Sequence, residues 1–432
     1  MSAVSMSCLP RLSRLALACA LSLGAVSFAQ AENLQEVYDM ARGYDATYLA
    51  AKAQAESNQY RADQVHALRR PSVGLTVGAS RIGDERPAQD STTTASSARI
   101  DLNQSIFNRA NDAAISQADL LVDVGAADLQ AAEQDLIVRV SQAYFDVLNA
   151  QDSLAAEQAN LAAISVQLAS AKRNFEVGTA TITDTREAQA RYDLATAQVL
   201  VAENNLQTRR VALDQLVGRS GVTPKPLVVP VALPPLPSDT VEEFVQRAND
   251  SPPVRRARLG YESAQLETTK ARAGHLPTVG LTAGYGKGDA KIASNQGNFS
   301  GGTTASTVGI NLNLPLFAGF SVQNRIKETL LLEDQSRNNL EFARRTAEQQ
   351  TRVAYLFSRS LQAQMKALEA AEASSQLALE STQLGYKVGV RVNLDVLNAQ
   401  TQLTNAQRDV AKSRYDTLLA LLRLRQAAGQ LN

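Results

Sequence analysis

The feature that most constrains this chain is a helix-stopping motif that occurs twice. Each copy reads Val-Gly, with an aspartate six residues after the glycine, and the two glycines, Gly178 and Gly389, are 211 residues apart. Other pairs keep this spacing, among them Tyr144 with Tyr355. A match that continues over most of the chain indicates that the sequence contains two copies of one structural unit.

The first 31 residues have the composition of an export signal. A basic flank and a short apolar run precede Ala29–Ala31, which predicts a signal peptide over 1–31 with cleavage at its end. Lipidation at Cys19 stays open as an alternative, although the residues before it fit a lipobox poorly. Cys8 and Cys19 both lie in this segment, so the mature chain is expected to have no thiol for a disulfide, a metal or a nucleophile.

Charge and hydropathy exclude two classes of protein. The 432 residues include 43 basic and 43 acidic side chains, so the formal net charge is zero. Because nucleic-acid binders concentrate excess Lys and Arg, no nucleic-acid partner is expected. After the signal, no stretch has the roughly 20 consecutive apolar residues of a transmembrane helix. The chain is therefore expected in the periplasm, in the medium or in the outer membrane.

Four short segments alternate apolar residues with small or polar ones, which is the period of a strand with one apolar face. They are 72–81, 98–106, 277–286 and 305–314. A half-buried hairpin explains this pattern, but each segment also has about the nine to eleven residues needed to cross a bilayer. Long Gly/Ser/Thr/Asn-rich loops are predicted over 82–97 and 286–304. Because the smallest barrels need about eight strands, membrane-spanning strands would have to come from several chains.

The rest of each copy predicts long helices. Those over 110–175 and 321–386 would extend roughly 100 Å at 1.5 Å per residue, and they need lateral partners as in a coiled coil. Shorter helices are predicted over 34–69, 184–217, 241–274 and 395–428. The prolines of 218–240 predict a linker between two repeats, 32–217 and 241–432.

The two Val-Gly motifs have a structural explanation of their own. Gly178 and Gly389 suit the left-handed position that ends a helix. Asp184 and Asp395 are predicted to cap the next helices by accepting free N–H groups, and Glu187 extends the first cap to a capping box. Both tips are expected at the end of the molecule opposite the strands, where a cap can also serve as a gate.

Together these features resemble the TolC family of outer-membrane channel-tunnels, which serve efflux and type I secretion. The resemblance covers about 32–432 and also rests on N-L-P-L-F-A-G from Asn313 and on L-L-R-L-R-Q-A-A-G-Q-L near the C-terminus. It implies a mostly α fold with a β-barrel part. Long antiparallel coiled-coil helices would form a periplasmic tunnel, and four strands from each chain of a homotrimer would form one 12-stranded transmembrane barrel.

The resemblance also assigns roles to residues at the second tip. Tyr386 and Arg391 fall on positions that help to hold the tips shut in the family, and they are implied to face Thr183 and Asp184 of a neighbouring helix pair. For Arg391, a solvated surface charge is the alternative.

An acidic ring at the constriction is implied as well. Asp395 falls on this ring, and for Asp395 both the ring and the capping role stay open. The second acidic position of the ring is Asn398 here, which puts cation binding by the ring in doubt.

The leading hypothesis is a passive exit duct in the Gram-negative outer membrane, with its helices in the periplasm. An inner-membrane transporter of the ABC, RND or MFS type would supply the energy, and a periplasmic adaptor would engage the two tips. The implied adaptor contacts are Val177, Gly178, Val388 and Gly389.

The alternative function is a periplasmic coiled-coil adaptor or structural protein, which leaves the four strands unexplained. An enzyme is not expected. His66 and His275 are the only histidines, and each more simply marks a crossover from helix to strand. No residue pattern indicates catalysis, a metal or a cofactor.

Overall fold

In the computed structural model the structure describes residues 31–85, 91–227 and 240–431. The predicted signal peptide up to residue 30, with Cys8 and Cys19, lies outside the described residues, and so does 228–239 of the predicted linker. The described residues are mostly helical and contain one four-stranded antiparallel sheet.

The helices and strands follow one order in both halves of the chain. The first half contains α1 (Leu34–Tyr44), α2 (Ala46–His66), β1 (Ser72–Asp84), β2 (Ser91–Phe107), α3 (Arg109–Glu176) and α4 (Ile182–Val217). The second half contains α5 (Val241–Ala248), α6 (Pro252–Arg272), β3 (Thr278–Ser294), β4 (Gly297–Asn313), α7 (Ser321–Lys387) and α8 (Asn393–Ala427). None of the described helices is both long enough and apolar enough to cross a membrane.

The described residues fall into two compact units. The tip unit comprises 31–44, 140–227 and 371–412, and the sheet unit comprises 45–85, 91–139, 240–370 and 413–431. Both repeats contribute to both units, because α3 and α7, with 68 and 67 residues, each belong partly to one and partly to the other.

The prediction of one continuous helix over 34–69 is wrong, because Asp45 separates α1 from α2. Its carboxylate accepts a hydrogen bond from the Tyr48 amide at 2.8 Å and so caps α2. Arg139 donates to the same carboxylate through two nitrogens at 2.8 and 3.0 Å. Hydrogen bonds from Arg139 hold the pKa of Asp45 below its usual value, so this buried group is charged at neutral pH.

The predicted helix over 241–274 is also interrupted. Helix α5 ends at Ala248, and α6 begins at Pro252. Two consecutive prolines, at 252 and 253, lack the amide that continues a helix but suit the first turn of a new one.

The sheet is built in chain order, β1-β2-β3-β4, and every neighbouring pair is antiparallel. The predicted loops over 82–97 and 286–304 are wrong where the structure describes them, because β1, β2, β3 and β4 continue into them, and residues 86–90 of the first loop lie outside the described residues. Ladder hydrogen bonds are made by the backbone, and threonine favours strands, so a Thr/Ser/Gly-rich sequence forms them without an apolar pattern.

The two faces of the sheet differ in polarity. Residues paired across strands have side chains on one face, and the row Val73–Leu102–Ala283–Val308 is apolar. Along both outer strands this apolar face is exposed, for example at Val73 and Val308. The neighbouring row on the opposite face is Gly74–Asp101–Gly284–Thr307.

The outer strands β1 and β4 each have one strand neighbour among the described residues. Their other edges carry backbone N–H and C=O groups that no described strand pairs. Such open edges are sites where another strand can add.

Both histidines lie where the chain passes from helix to strand, as predicted. His66 is the last residue of α2, and its Nε2 lies 2.8 Å from Asp119 Oδ1. His275 ends the short 3-10 turn, Ala273–His275, that precedes β3.

Each unit has its own core. In the tip unit, one cluster joins Ile164, Leu168, Ala171, Ala188, Ala195 and Leu397. In the sheet unit, one cluster joins Phe244, Leu424 and Ala428, with Tyr355 packed against it. Small alanines among larger residues allow close helix packing.

Part of the predicted linker, within 218–227, is held by hydrogen bonds in the tip unit. The Glu32 amide donates to the Thr223 carbonyl at 2.9 Å, and the Lys225 amide donates to the Glu32 carbonyl at 2.9 Å. The Tyr144 hydroxyl lies 2.9 Å from the Lys225 carbonyl oxygen. Burial raises the pKa of Tyr144, so it stays a neutral donor.

Candidate functional site

The first tip is a tight reversal between α3 and α4. The amides of Thr179 and Ala180 donate to the Asn174 carbonyl at 2.8 and 3.2 Å. Gly178 has φ 79°, a left-handed conformation that glycine adopts without a Cβ clash. The predicted helix-ending role of Gly178 is confirmed.

The second tip repeats this geometry between α7 and α8. The amides of Val390 and Arg391 donate to the Gly385 carbonyl at 2.9 and 3.2 Å, and Gly389 has φ 82°. Asn174 and Gly385, whose carbonyls accept these bonds, are themselves 211 residues apart. The duplication therefore extends to individual hydrogen bonds.

The start of α4 corrects the predicted cap. Thr181, not Asp184, precedes the helix, and its hydroxyl accepts a hydrogen bond from the Asp184 amide at 3.2 Å. The Asp184 carboxylate accepts in return from the Thr181 amide at 3.0 Å. The capping box is therefore Thr181 with Asp184 and does not include Glu187, and the pattern Thr-x-x-Asp is the signal that locates it.

The start of α8 differs from that of α4. Helix α8 begins at Asn393, so Asp395 lies in its first turn and does not precede it. The Asp395 carboxylate lies 3.6 Å from the Arg391 guanidinium, and an acidic group in a first turn also interacts favourably with the helix dipole. The predicted cap is thus replaced by an ion pair within the tip.

Tyr386 connects the two tips within the tip unit. Its hydroxyl accepts a hydrogen bond from Asn174 Nδ2 at 3.1 Å. Its ring packs against the buried cluster of Leu379, Val396 and Leu403. The packing fixes the ring, so the hydroxyl is held at the end of α3.

Equivalent positions in the two tips have different structural roles. Asn174 carries the amide that reaches Tyr386, whereas the matching residue of the second tip is Gly385. A Cβ at Gly385 would lie 2.8 Å from Arg391 Cγ. The missing side chain therefore leaves the space in which the stem of Arg391 lies.

Asn398 also has a partner that sequence reasoning missed. Its side-chain oxygen accepts a hydrogen bond from an Arg191 nitrogen at 3.0 Å. Arg191 thus places a cation beside the position where the resemblance implies a second carboxylate. Nothing in the local sequence links Arg191 to Asn398, because the two residues are distant in the chain.

Both tips expose apolar side chains. Val177 and Val388 are 69% and 65% exposed, and Thr183 is exposed as well. In the single chain Tyr386 bonds to Asn174 and Arg391 to Asp395, so contact of either with Thr183 or Asp184 stays a prediction.

The polar side chains of the tips form hydrogen bonds and a weak ion pair. The Arg391 and Asp395 side chains are both solvent-accessible, so their ion pair adds little stability and can open easily. Among the described residues, no three His, Cys, Asp or Glu side chains are grouped so that they could hold a metal ion.

Known proteins share this architecture. The model of the family described as outer membrane efflux protein matches residues 37–219 and 245–430. The outer membrane protein TolC of Vibrio cholerae serotype O1 is 31% identical over 418 residues, which are 95% of this chain and 94% of that protein. The proteases secretion protein PrtF of Dickeya chrysanthemi is 28% identical over 427 residues, 94% of this chain and 89% of that protein.

Similarity extends to solved structures. The CmeC outer membrane channel of Campylobacter jejuni is similar with a TM-score of 0.79 at 18% identity, over 95% of this chain and 91% of that chain. At this identity the likeness concerns the fold alone.

The chain belongs to the outer membrane efflux protein family. The predicted resemblance to the TolC family is thereby confirmed, and so are the outer-membrane localisation and the role as an exit duct.

Proposed function

We propose that three copies of this chain assemble into one channel-tunnel that carries cargo across the periplasm and the outer membrane. The observation that carries this proposal is the sheet with an exposed apolar face and two open edges. Four strands cannot close a barrel, whereas three such sheets supply twelve. In that arrangement β4 of one copy pairs with β1 of the next, and the apolar face lies against lipid.

The long helices are proposed to form the tunnel below the barrel. Helices of 68 and 67 residues need lateral partners along their length, and neighbouring copies supply them. The family model matches in two stretches, 37–219 and 245–430, which supports two repeats over 32–217 and 241–432. The segment 218–240 is the proposed linker between them, after a signal peptide over 1–31.

The tips are proposed to close the tunnel entrance. Three copies would place three Tyr386 hydroxyls and three Arg391–Asp395 pairs around one axis. Asp395 and Asn398 would line the constriction, and Thr183 and Asp184 would meet Tyr386 and Arg391 of the neighbouring helix pair. The support is the position of Tyr386, which already joins the two tips in one chain.

An adaptor is the proposed partner of the tip surface. Val177 and Val388 are exposed apolar residues on reversals fixed by Gly178 and Gly389, so they present a rigid surface to a periplasmic helix. The energy would come from an inner-membrane transporter. The names of the relatives include both TolC and a protease secretion protein, so an unfolded polypeptide and small molecules both stay open as cargo. No catalytic step is proposed for the chain.

The test uses cysteines, since both natural ones lie in the predicted signal peptide. Leu75→Cys on β1 is combined in turn with Val308→Cys, Ile310→Cys or Leu312→Cys on β4. At least one combination is expected to produce a covalent trimer in the outer-membrane fraction. The matched control joins Leu75→Cys with Ile100→Cys, which pair within one chain and so should cross-link without linking copies.

Two results would contradict the proposal. One is release of a monomer by osmotic shock, which would favour the periplasmic adaptor. The other is a membrane-bound protein in which no β1–β4 pair cross-links copies while the control pair forms its disulfide.

A further inference from the structure

Basic side chains continue the apolar face of the sheet at the end away from the helices. The register places Tyr285 in the row Leu75–Ile100–Tyr285. Two residues further along β3, and therefore on the same face, comes Lys287, followed by Asp289 and Lys291. On β3 this face therefore changes from apolar to charged between Tyr285 and Lys287, which are consecutive residues on that face.

Arg81 on β1 belongs to this charged region. It pairs with Thr94, and Thr94 pairs with Lys291, so the three side chains share one row and one face. Two strand spacings separate Arg81 from Lys291, which is about 10 Å between their Cα atoms. Lys287 and Lys291 are about 14 Å apart along β3. All three side chains are exposed.

Asp289, the single acidic residue among them, is directed away from β1. A Cβ at Gly302 would lie 2.8 Å from Asp289 Oδ1, so the carboxylate extends over β4, on the side opposite β1. Within the described part of the chain, neither Lys287 nor Lys291 is paired with a carboxylate. Lys287 and Lys291 therefore face solvent without a paired carboxylate on the described part of the sheet, and the Arg81 side chain is exposed beside them.

We propose that Arg81, Lys287 and Lys291 bind the phosphate groups of a lipid in the outer leaflet. This inference rests on the proposed barrel, in which the apolar face contacts acyl chains. Tyr285 then lies at the interface, where aromatic side chains are favoured, and the cations lie at the level of the headgroups. Arg and Lys bind phosphate through charge-assisted hydrogen bonds, and three cations on one face suit a headgroup with more than one phosphate.

The experiment measures binding of diphosphoryl lipid A to the purified trimer in neutral detergent by native mass spectrometry. The variant Arg81→Gln/Lys287→Gln/Lys291→Gln is expected to bind at least about tenfold more weakly than the wild type, because each cation near a membrane surface contributes to attraction of anionic lipid. Monophosphoryl lipid A should bind more weakly than the diphosphoryl form. Inorganic phosphate should not compete, since the acyl chains hold the headgroup against the apolar face.

A matched control removes the same charge elsewhere. Lys52→Gln/Lys327→Gln/Lys366→Gln changes three exposed lysines on helices and should bind lipid A as the wild type does. Lys287→Arg/Lys291→Arg should retain binding, which shows that charge on the sheet is what matters. Unchanged binding by the glutamine variant, or equal competition by inorganic phosphate, would overturn the proposal.

Failure of this inference is distinct from failure of the proposed function. If the barrel does not exist, the wild type will not form a detergent-dependent trimer. If only the phosphate site is wrong, trimers and export persist, and the glutamine variant binds lipid A as tightly as its control.

Discussion

Asn174 Nδ2 donates a hydrogen bond to the Tyr386 hydroxyl across 3.1 Å, which joins the end of α3 to the end of α7. This hydrogen bond therefore connects the two tips of the chain. A net hydrogen bond of this kind contributes about 1 kcal/mol, so its loss shifts a balance between closed and open tips about fivefold.

Removal of this bond together with the Arg391 charge should loosen the tips. We expect Tyr386→Phe/Arg391→Ser to raise single-channel conductance in planar bilayers and the fraction of time spent open. The control Tyr60→Phe/Arg61→Ser makes the same chemical changes on the exposed side of α2 and should leave conductance unchanged. Equal conductance in both variants would show that Tyr386 and Arg391 do not hold the tips closed.

A second prediction concerns the neutral position of the constriction. Asn398→Asp adds a carboxylate three residues after Asp395, and in a trimer it doubles the acidic groups of the ring. We expect divalent cations to block the channel at several-fold lower concentration, an effect reduced but not abolished by the nearby Arg191. Asn405→Asp, an exposed position further along α8, is the control and should not change the block.

The apolar tip surface should be required for export and not for assembly. Val177→Asp/Val388→Asp places charges where the adaptor is proposed to pack, so export should fall at least tenfold while heat-modifiable trimers form normally. Val166→Asp changes a valine of α3 that is 65% exposed and should export as the wild type does. Normal export by the tip variant would mean that the adaptor binds elsewhere.

The left-handed turn of the second tip can be tested by protease. Gly389→Ala forces φ near 82° on a residue with a Cβ, which costs about 1–2 kcal/mol. We expect faster trypsin cleavage at Lys387 and Arg391, which flank the turn. Gly260→Ala lies within α6 with open space around it, so it should not speed cleavage. Unchanged cleavage in Gly389→Ala would show that the turn tolerates a side chain.

The Asp45–Arg139 pair predicts a specific pH dependence. Asp45 has its pKa held below the usual 3.8 by hydrogen bonds from Arg139. Because the folded value is the lower one, the pair stabilises the protein above about pH 4, and this contribution is lost as pH falls through the folded pKa.

Asp45→Asn should therefore be destabilising by about 2 kcal/mol at pH 7 and by less near pH 3, as measured by thermal loss of helical circular dichroism. Asparagine also caps helices well, so the cap of α2 is retained and the charge alone is tested. Asp135→Asn removes the more exposed partner of Arg139 and should cost a few tenths of a kcal/mol. Equal effects of Asp45→Asn at both pH values would contradict the ion-pair assignment.

Much of the fold could be predicted from sequence because strands and helices each require a characteristic arrangement of residue types. The strand segments and the apolar face follow from alternation, and the long helices follow from the scarcity of Gly and Pro. The strand ends could not be predicted, because the backbone ladder also pairs the Thr/Ser/Gly-rich segments. The break at Asp45 combines a local contact, the cap on the Tyr48 amide, with a distant one, the hydrogen bonds from Arg139, which lies 94 positions away in the chain.

At the tips, local chemistry was predictable and long-range contacts were not. The left-handed glycines follow from helix ends, and Thr181 could have been found from its spacing to Asp184. The bonds from Asn174 to Tyr386 and from Arg191 to Asn398 connect residues more than 200 positions apart, so no local pattern signals them.

The pairing of β2 with β3 has a consequence for how the two halves could diverge. The two repeats belong to one polypeptide and so always occur in equal numbers, and the pairing of β2 with β3 places them side by side in the sheet. The equivalent positions 174 and 385 can therefore carry different residues. The Asn174 amide holds the Tyr386 hydroxyl, whereas the missing side chain of Gly385 leaves space for Arg391. Six identical half-length chains would have to carry the same residue at every tip and could not encode that asymmetry.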